Sequence, residues 1–263
     1  MNKKTLKKGI SLFIKEPSIF FNLIRNDKSK LYYLSWEPKL NFAKDYFEKN
    51  KKVMINSEQR YLDLFKEQIA TLLNLEETKE NVYHFILYLL VRLYQPKILV
   101  ETGVSRGVSS LFILQALEDN KSGRLYSIDL PLSNYNGGKM GKIKDGVMPN
   151  EVGICVSRHL KKRWELILED SKNELPKLLD RLNKIDFFLH DSEHSYNHMM
   201  WEFRTSWPLL KNCGILVSDD THWNEAFEKF ALEQNCDFIS GYRNYEKNGT
   251  FGLIIKNVID DKI

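Results

Sequence analysis

Ile98-Leu-Val-Glu-Thr-Gly-Val-Ser-Arg-Gly-Val-Ser-Ser110 decides the fold of this chain. An apolar run ends in Glu101, Gly103 and Gly107 follow as a G-x-x-x-G pair, and a helical apolar pattern then begins. The stretch reads strand, tight glycine turn, helix. Glycine lacks Cβ and tolerates unusual backbone angles, so such a turn lets a ligand approach the main chain closely. The helix that follows offers unpaired N–H groups to a carboxylate or phosphate. About twenty residues on, Leu125-Tyr-Ser-Ile-Asp129 reads as a second strand ending in an acid placed to accept hydrogen bonds from ribose hydroxyls. Together these features imply a nucleoside cofactor. The dinucleotide fingerprint G-x-G-x-x-G fails, because Ser105 stands where its second glycine belongs.

From Pro96 onward strands and helices alternate. Strands fit 98–101, 125–129, 165–168, 185–190, 214–219, 237–240 and 251–255; helices fit 107–119, 150–162, 172–182, 195–210 and 224–234. Strands separated by helices imply an α/β fold with a doubly wound, mostly parallel seven-stranded sheet. The runs at 185–189 and 215–217 are short and apolar, as in strands buried on both faces. Residues 1–95 form a different compositional half: helical spacing of apolar residues, and no glycine except Gly9. We divide the chain into a helical N-terminal extension, 1–95, which caps the crevice or forms an oligomer interface, and a ligand-binding domain, 96–263. Ser57 is positioned to cap a helix, and Ser35-Trp36-Glu37-Pro38 reads as a break between helices. The Pro131–Pro149 segment, with Gly137, Gly138, Gly141 and Gly146, follows the strand carrying Asp129 and reads as a surface loop or a lid.

Composition narrows the function classes. The chain has 263 residues, 43% hydrophobic and 28% charged, as in a globular protein with a sizeable core. A net charge of +4 with dispersed lysines gives no nucleic-acid footprint. Cys155, Cys213 and Cys236 are scattered and read as reduced thiols of a cytoplasmic protein. No apolar stretch reaches membrane-spanning length, and neither a signal peptide nor peripheral membrane contact is expected. Lys3, Lys4, Lys7 and Lys8 beside Ile10, Phe13 and Ile14 fit an amphipathic helix docked on the core better than a membrane anchor, because Pro17 cuts it short.

A second cluster is acidic. One strand ends in His190-Asp191-Ser-Glu-His194 and the next in Ser218-Asp219-Asp220-Thr-His222. Ligands of doubly wound sheets bind beyond the carboxyl ends of the strands, so these acids face one crevice. Crowded carboxylates need a cation, and three hard oxygen donors suit Mg²⁺ or Mn²⁺. Asp219 or Asp220 could instead cap the next helix. His222 and His194 are candidate bases, since imidazole titrates near neutrality. His190 reads as buried support, and a zinc pair of His194 and His198 lacks a third soft ligand.

From Lys97 to about Lys256 the chain resembles the class I S-adenosylmethionine (SAM) methyltransferases. Within them it is most similar to the metal-dependent O-methyltransferase group, with the cephalosporin-hydroxylase-like and macrolide-sugar enzymes. The resemblance rests on E-x-G-x-x-x-G at 101–107, on Phe188-Leu-His-Asp-Ser-Glu-His-Ser-Tyr196, on Trp207-Pro208-Leu-Leu and on Gly214-Ile-Leu-Val-Ser-Asp-Asp220. It implies a SAM site lined by Glu101, Gly103, Ser105, Gly107, Ser109, Asp129, Asp170, Ser171 and Asp191. Within it, Ser109 would meet the methionine carboxylate, Asp129 the ribose and Asp170 adenine. Asp170 and Ser171 are also good helix caps. The resemblance further implies Asp191, Asp219 and Asp220 as metal ligands, a small hydroxylated acceptor and a homo-oligomer. His194 departs from the lysine that related catechol enzymes place there; His222 matches the Asp-Asp-x-His arrangement of the sugar enzymes. Two alternatives are a metal-independent methyltransferase acting on nitrogen or a carboxylate, and a SAM-binding protein without turnover.

Overall fold

Leu99, Phe187, Leu189, Ile215 and Val217 pack into one core, and Val100, Ile185, Phe188 and Leu216 into another. Neighbouring strand residues point to opposite faces, so this partition is that of a sheet covered on both sides. The computed structural model describes residues 28–55, 61–75, 81–131, 147–244 and 246–256. Ser57, the basic opening of the chain, and the loop glycines 137, 138, 141 and 146 lie outside the described residues.

Three helices, α1 (Lys28–Ile55), α2 (Tyr61–Leu73) and α3 (Val82–Tyr94), precede the sheet. The alternation then runs β1 (Ile98–Thr102), α4 (Val108–Asp119), β2 (Arg124–Asp129), β3 (Trp164–Leu168), α5 (Ser171–Leu182) and β4 (Ile185–His190). It ends with α6 (Tyr196–Ser206), β5 (Leu210–Ser218), α7 (Ala226–Glu233), β6 (Phe238–Tyr242) and β7 (Thr250–Ile255). The strand order is β3-β2-β1-β4-β5-β7-β6, with β7 antiparallel to both neighbours and the other pairings parallel. This is the expected seven-stranded, mostly parallel sheet. Asp170 and Ser195 cap α5 and α6 by accepting from the N–H groups of Lys172 (2.9 Å) and His198 (3.4 Å).

Register places the site. Thr102 lies opposite Ile128 and His190, and His190 opposite Ser218. The next residues, Asp129, Gly103, Asp191 and Asp219, therefore stand in one row where the strand order reverses, the usual ligand crevice of such sheets. The ladder continues into the row: Gly103 donates to the Ile128 carbonyl (2.9 Å), Asp191 to Thr102 (2.8 Å) and Asp219 to His190 (2.9 Å).

Two local expectations are corrected. The break at Ser35–Pro38 is absent: α1 runs through Pro38. Leu40 is buried, and Trp36 packs edge-on to His84 and Phe112, so contacts with α3 and α4 offset the hydrogen bond that proline cannot make. The helix expected at 150–162 is a series of turns ending in a short 3₁₀ segment, Lys161–Arg163. Val152, Cys155, Val156 and Leu160 are buried at helix-like spacing, which explains the misreading. Gly153 and Cys155 instead donate their N–H groups to the carbonyls of Ser105 and Arg106 (both 2.9 Å), so the segment braces the glycine turn. Smaller shifts occur at element ends: β5 begins at Leu210, and α6 stops at Ser206, before Pro208.

Helix α3 is buried at every position from Val82 to Val91 and shares its core with β1 and α4. A helix apolar all round must be covered all round.

Candidate active site

Glu101, the last residue but one of β1, has no exposed surface. Its Oε2 accepts from the hydroxyls of Ser110 (2.7 Å) and Ser127 (2.6 Å), and Ser127 accepts in turn from the Trp164 indole N–H (2.8 Å). Its Oε1 is buried without a hydrogen-bond partner among the described residues. Burial pushes the carboxyl up to about 7, against the pull of the two hydroxyls.

The glycine turn that follows is held by Asp129. Its Oδ2 accepts from the N–H groups of Val104 (2.6 Å) and Ser105 (2.8 Å). Ser105 sits in the left-handed region (φ 50°), where those two charge-assisted bonds offset the conformational cost. The glycines have a different reason from the one the sequence suggested. A Cβ on Gly103 would lie 1.9 Å from the Asp191 carbonyl oxygen, and one on Gly107 2.7 Å from the Gly153 Cα. Both are demanded by protein backbone, at φ 82° and 78°. Ser109 donates to Asp191 (3.4 Å), so that hydroxyl faces the acidic row.

Asp191, Asp219 and Asp220 do converge, and the cation among them is a guanidinium. Arg243 reaches Asp219 Oδ2 through Nη2 (3.1 Å) and Asp220 Oδ1 through Nη1 (2.8 Å). Because β7 runs antiparallel to β5, the β6–β7 turn returns to the carboxyl end of β5 and delivers Arg243 there. Burial and the neighbouring acids raise Asp219 and Asp191, with Arg243 opposing the rise. Tyr83, from α3, forms the back wall. Its ring lies 5.7 Å from the Arg243 guanidinium carbon, its N–H donates to the Arg243 carbonyl (3.4 Å), and its buried hydroxyl has no partner among the described residues. No three His, Cys, Asp or Glu side chains among the described residues form a group able to hold a metal. With Arg243 between them, the carboxylates expected to ligate Mg²⁺ or Mn²⁺ do not fit a divalent ion.

The histidines separate by their partners. His194 packs against His190 and Trp223 at ring-centroid distances of 5.1 and 5.5 Å, and its Nε2 is buried without a partner among the described residues. Burial, then the neighbouring His190, pushes it down to about 4, so it is neutral at pH 7. His222 is half-exposed, and its Nδ1 accepts from the Thr250 N–H (3.2 Å). An imidazole whose Nδ1 accepts carries its proton on Nε2 and has no free lone pair while neutral. His190 and His198 converge on buried Glu202 (2.6 and 2.9 Å), which also accepts from Thr102 (2.5 Å) and Ser192 (3.0 Å). That network fixes the loop carrying Asp191. Ser171 turns inward to His198 (3.2 Å), and Asp170 serves as the α5 cap, so neither hydroxyl nor carboxylate is free of an internal partner.

Sequence reasoning missed Arg243 and Tyr83. Neither belongs to a motif, and Tyr83 looked like one more apolar position of a helix.

With this geometry in view, residues 100–221 match a family model described as a methyltransferase domain. The match thus opens inside β1 and closes just past Asp220, spanning the whole row of strand ends. Among solved structures, a candidate O-methyltransferase from Klebsiella pneumoniae matches at 15% identity, covering 86% of this chain and 99% of that one, with a TM-score of 0.50. Cofactor-bound Rv0187 from MTB matches at 13% identity, covering 81% and 95%, with a TM-score of 0.51. Both likenesses concern the fold. No curated protein matches the sequence. No helix among the described residues is long and apolar enough to cross a membrane.

Proposed function

We propose that this chain transfers the methyl group of SAM to a hydroxyl oxygen of a small molecule. The observation that carries the reading is Glu101 Oε1, a buried carboxylate oxygen without a partner at the head of the glycine turn. An unsatisfied buried acceptor is costly, and an ammonium such as that of the methionine moiety would relieve it. Asp129 would offer its second oxygen to the ribose while its first holds the turn. Ser105, Gly107, Ser109, Asp170, Ser171 and Asp191 line the same crevice in this proposal.

Bound SAM supplies an electrophilic methyl on a sulfonium and leaves as S-adenosylhomocysteine (SAH). The acceptor oxygen forms the new C–O bond as the S–CH₃ bond breaks, which is mainly a matter of positioning. His194 is the proposed base: its Nε2 is buried and without a partner among the described residues, whereas the Nδ1 of His222 is occupied. A weakly basic imidazole suffices, because the hydroxyl becomes strongly acidic as the oxygen is alkylated. No Mg²⁺ step enters, since Arg243 takes the charge of the acids. The N-terminal helices are proposed to cap the crevice, with Tyr83 as their contribution. We also propose a cytoplasmic homo-oligomer, in keeping with three free cysteines.

Calorimetry with SAH tests the reading. Binding of micromolar order to the wild-type chain, lost in Asp129→Ala, is expected; no binding to wild type removes it.

A further inference from the structure

We propose that Arg243 is the resident cation of the acidic row, standing where a divalent ion would otherwise sit, and that this chain binds no divalent metal there. The guanidinium meets one carboxylate through each terminal nitrogen, Asp219 at 3.1 Å and Asp220 at 2.8 Å. Arginine is charged at every physiological pH and presents donors in a fixed fork, so it can hold two carboxylates as an ion would. A dication entering would have to displace a monocation that already occupies both ligands.

The surroundings are built for that side chain. The Tyr83 ring lies against the guanidinium, and the Tyr83 N–H holds the Arg243 carbonyl. Arg243 N–H donates to the Gly249 carbonyl (3.1 Å), closing the turn. Gly249 has φ 80°, and a Cβ there would come within 3.0 Å of Arg243 Cδ and 3.3 Å of His222 Cε1. The missing side chain is what lets Arg243, His222 and Asp220 close together. Asp219 is almost fully buried, and its Oδ1 has no partner among the described residues. The arginine is thus the one cation contacting that acid among the described residues, and removing it would leave an uncompensated buried charge.

The proposal deepens the reading of the crevice as a methyl-transfer site, and its test reads metal binding rather than turnover. The full chain is titrated with Mn²⁺ alone and followed by electron paramagnetic resonance, with and without SAH. Wild type is expected to leave the free Mn²⁺ signal unchanged up to millimolar metal, and its melting temperature should not respond to Mn²⁺. Arg243→Met should gain Mn²⁺ affinity and a melting temperature that rises with added Mn²⁺. Where Arg243→Met does not fold, the double variant Arg243→Met/Asp220→Asn, which removes one charge of each sign, should restore a cooperative melt. One Mn²⁺ per wild-type chain, lost in Asp219→Asn, overturns the proposal. So does a folded Arg243→Met that gains no Mn²⁺ affinity, or a double variant that stays unfolded. SAH calorimetry on wild type reports separately on the methyltransferase reading, so the two can fail independently.

Discussion

Glu101→Gln should stabilise the ligand-free chain at alkaline pH while weakening its hold on SAH. The folded-state pKa of Glu101 is raised from 4.5 to about 7, chiefly by burial. A carboxyl raised on folding costs nothing below its unfolded value, where both states are protonated. The cost grows as pH rises from about 4.5 to about 7 and is constant above. At 1.36 kcal/mol per pKa unit that gap amounts to about 3 kcal/mol. Glutamine escapes the charge cost but turns an amide into the space beside Oε1, a donor left unpaired at about 1 kcal/mol. The net gain at pH 8 is therefore about 2 kcal/mol, or a rise in melting temperature of about 4–8 °C. Near pH 4.5 the charge cost is almost gone, and the unpaired amide should leave Glu101→Gln the less stable chain by up to about 1 kcal/mol. Urea unfolding followed by circular dichroism at several pH values measures it. Wild-type and Glu101→Gln stabilities that run parallel from pH 4.5 to 8 would refute the assignment of a buried, raised carboxyl. In the same variant SAH should bind about 10- to 100-fold more weakly, since a charge-assisted hydrogen bond is worth about 1.5–3 kcal/mol.

Further outcomes follow from the same geometry. Gly103→Ala should destabilise the fold by about 2–4 kcal/mol, because its Cβ meets the Asp191 carbonyl and φ is positive; a melting temperature within a degree of wild type would contradict the close approach. His194→Ala should lower turnover with an active acceptor by about 10²–10⁴-fold at unchanged SAH affinity, whereas His222→Gln should keep most of it; the reverse ranking would move the base to His222. Asp129→Ala should both loosen the turn and lose SAH, so calorimetry and melting should fall together; a variant that binds SAH as wild type does would leave Asp129 a purely structural role.

Much of this was readable before any coordinates, because strand alternation and buried apolar runs depend on local pattern. The row Asp129, Gly103, Asp191 and Asp219 was inferred from the ends of four apolar runs, and parallel register brings them level. What stayed hidden depends on long-range pairing. Arg243 sits in a polar turn of no special composition, and only the antiparallel return of β7 carries it to Asp219. The segment at 150–160 has helical spacing, yet its N–H groups are claimed by the glycine turn, a competition that no local rule sees. The glycines at 103 and 107 were correctly singled out for a close approach, but the approaching groups are the chain's own backbone.

The Trp164 indole reaches Glu101 through a single hydroxyl, that of Ser127. A buried fluorophore is thereby coupled to the carboxylate proposed to receive an ammonium. A charge appearing beside the pyrrole end of an indole shifts its emission, so the chain carries an intrinsic optical gauge of its own site. Occupancy could be followed in unlabelled protein, before any methyl acceptor is known.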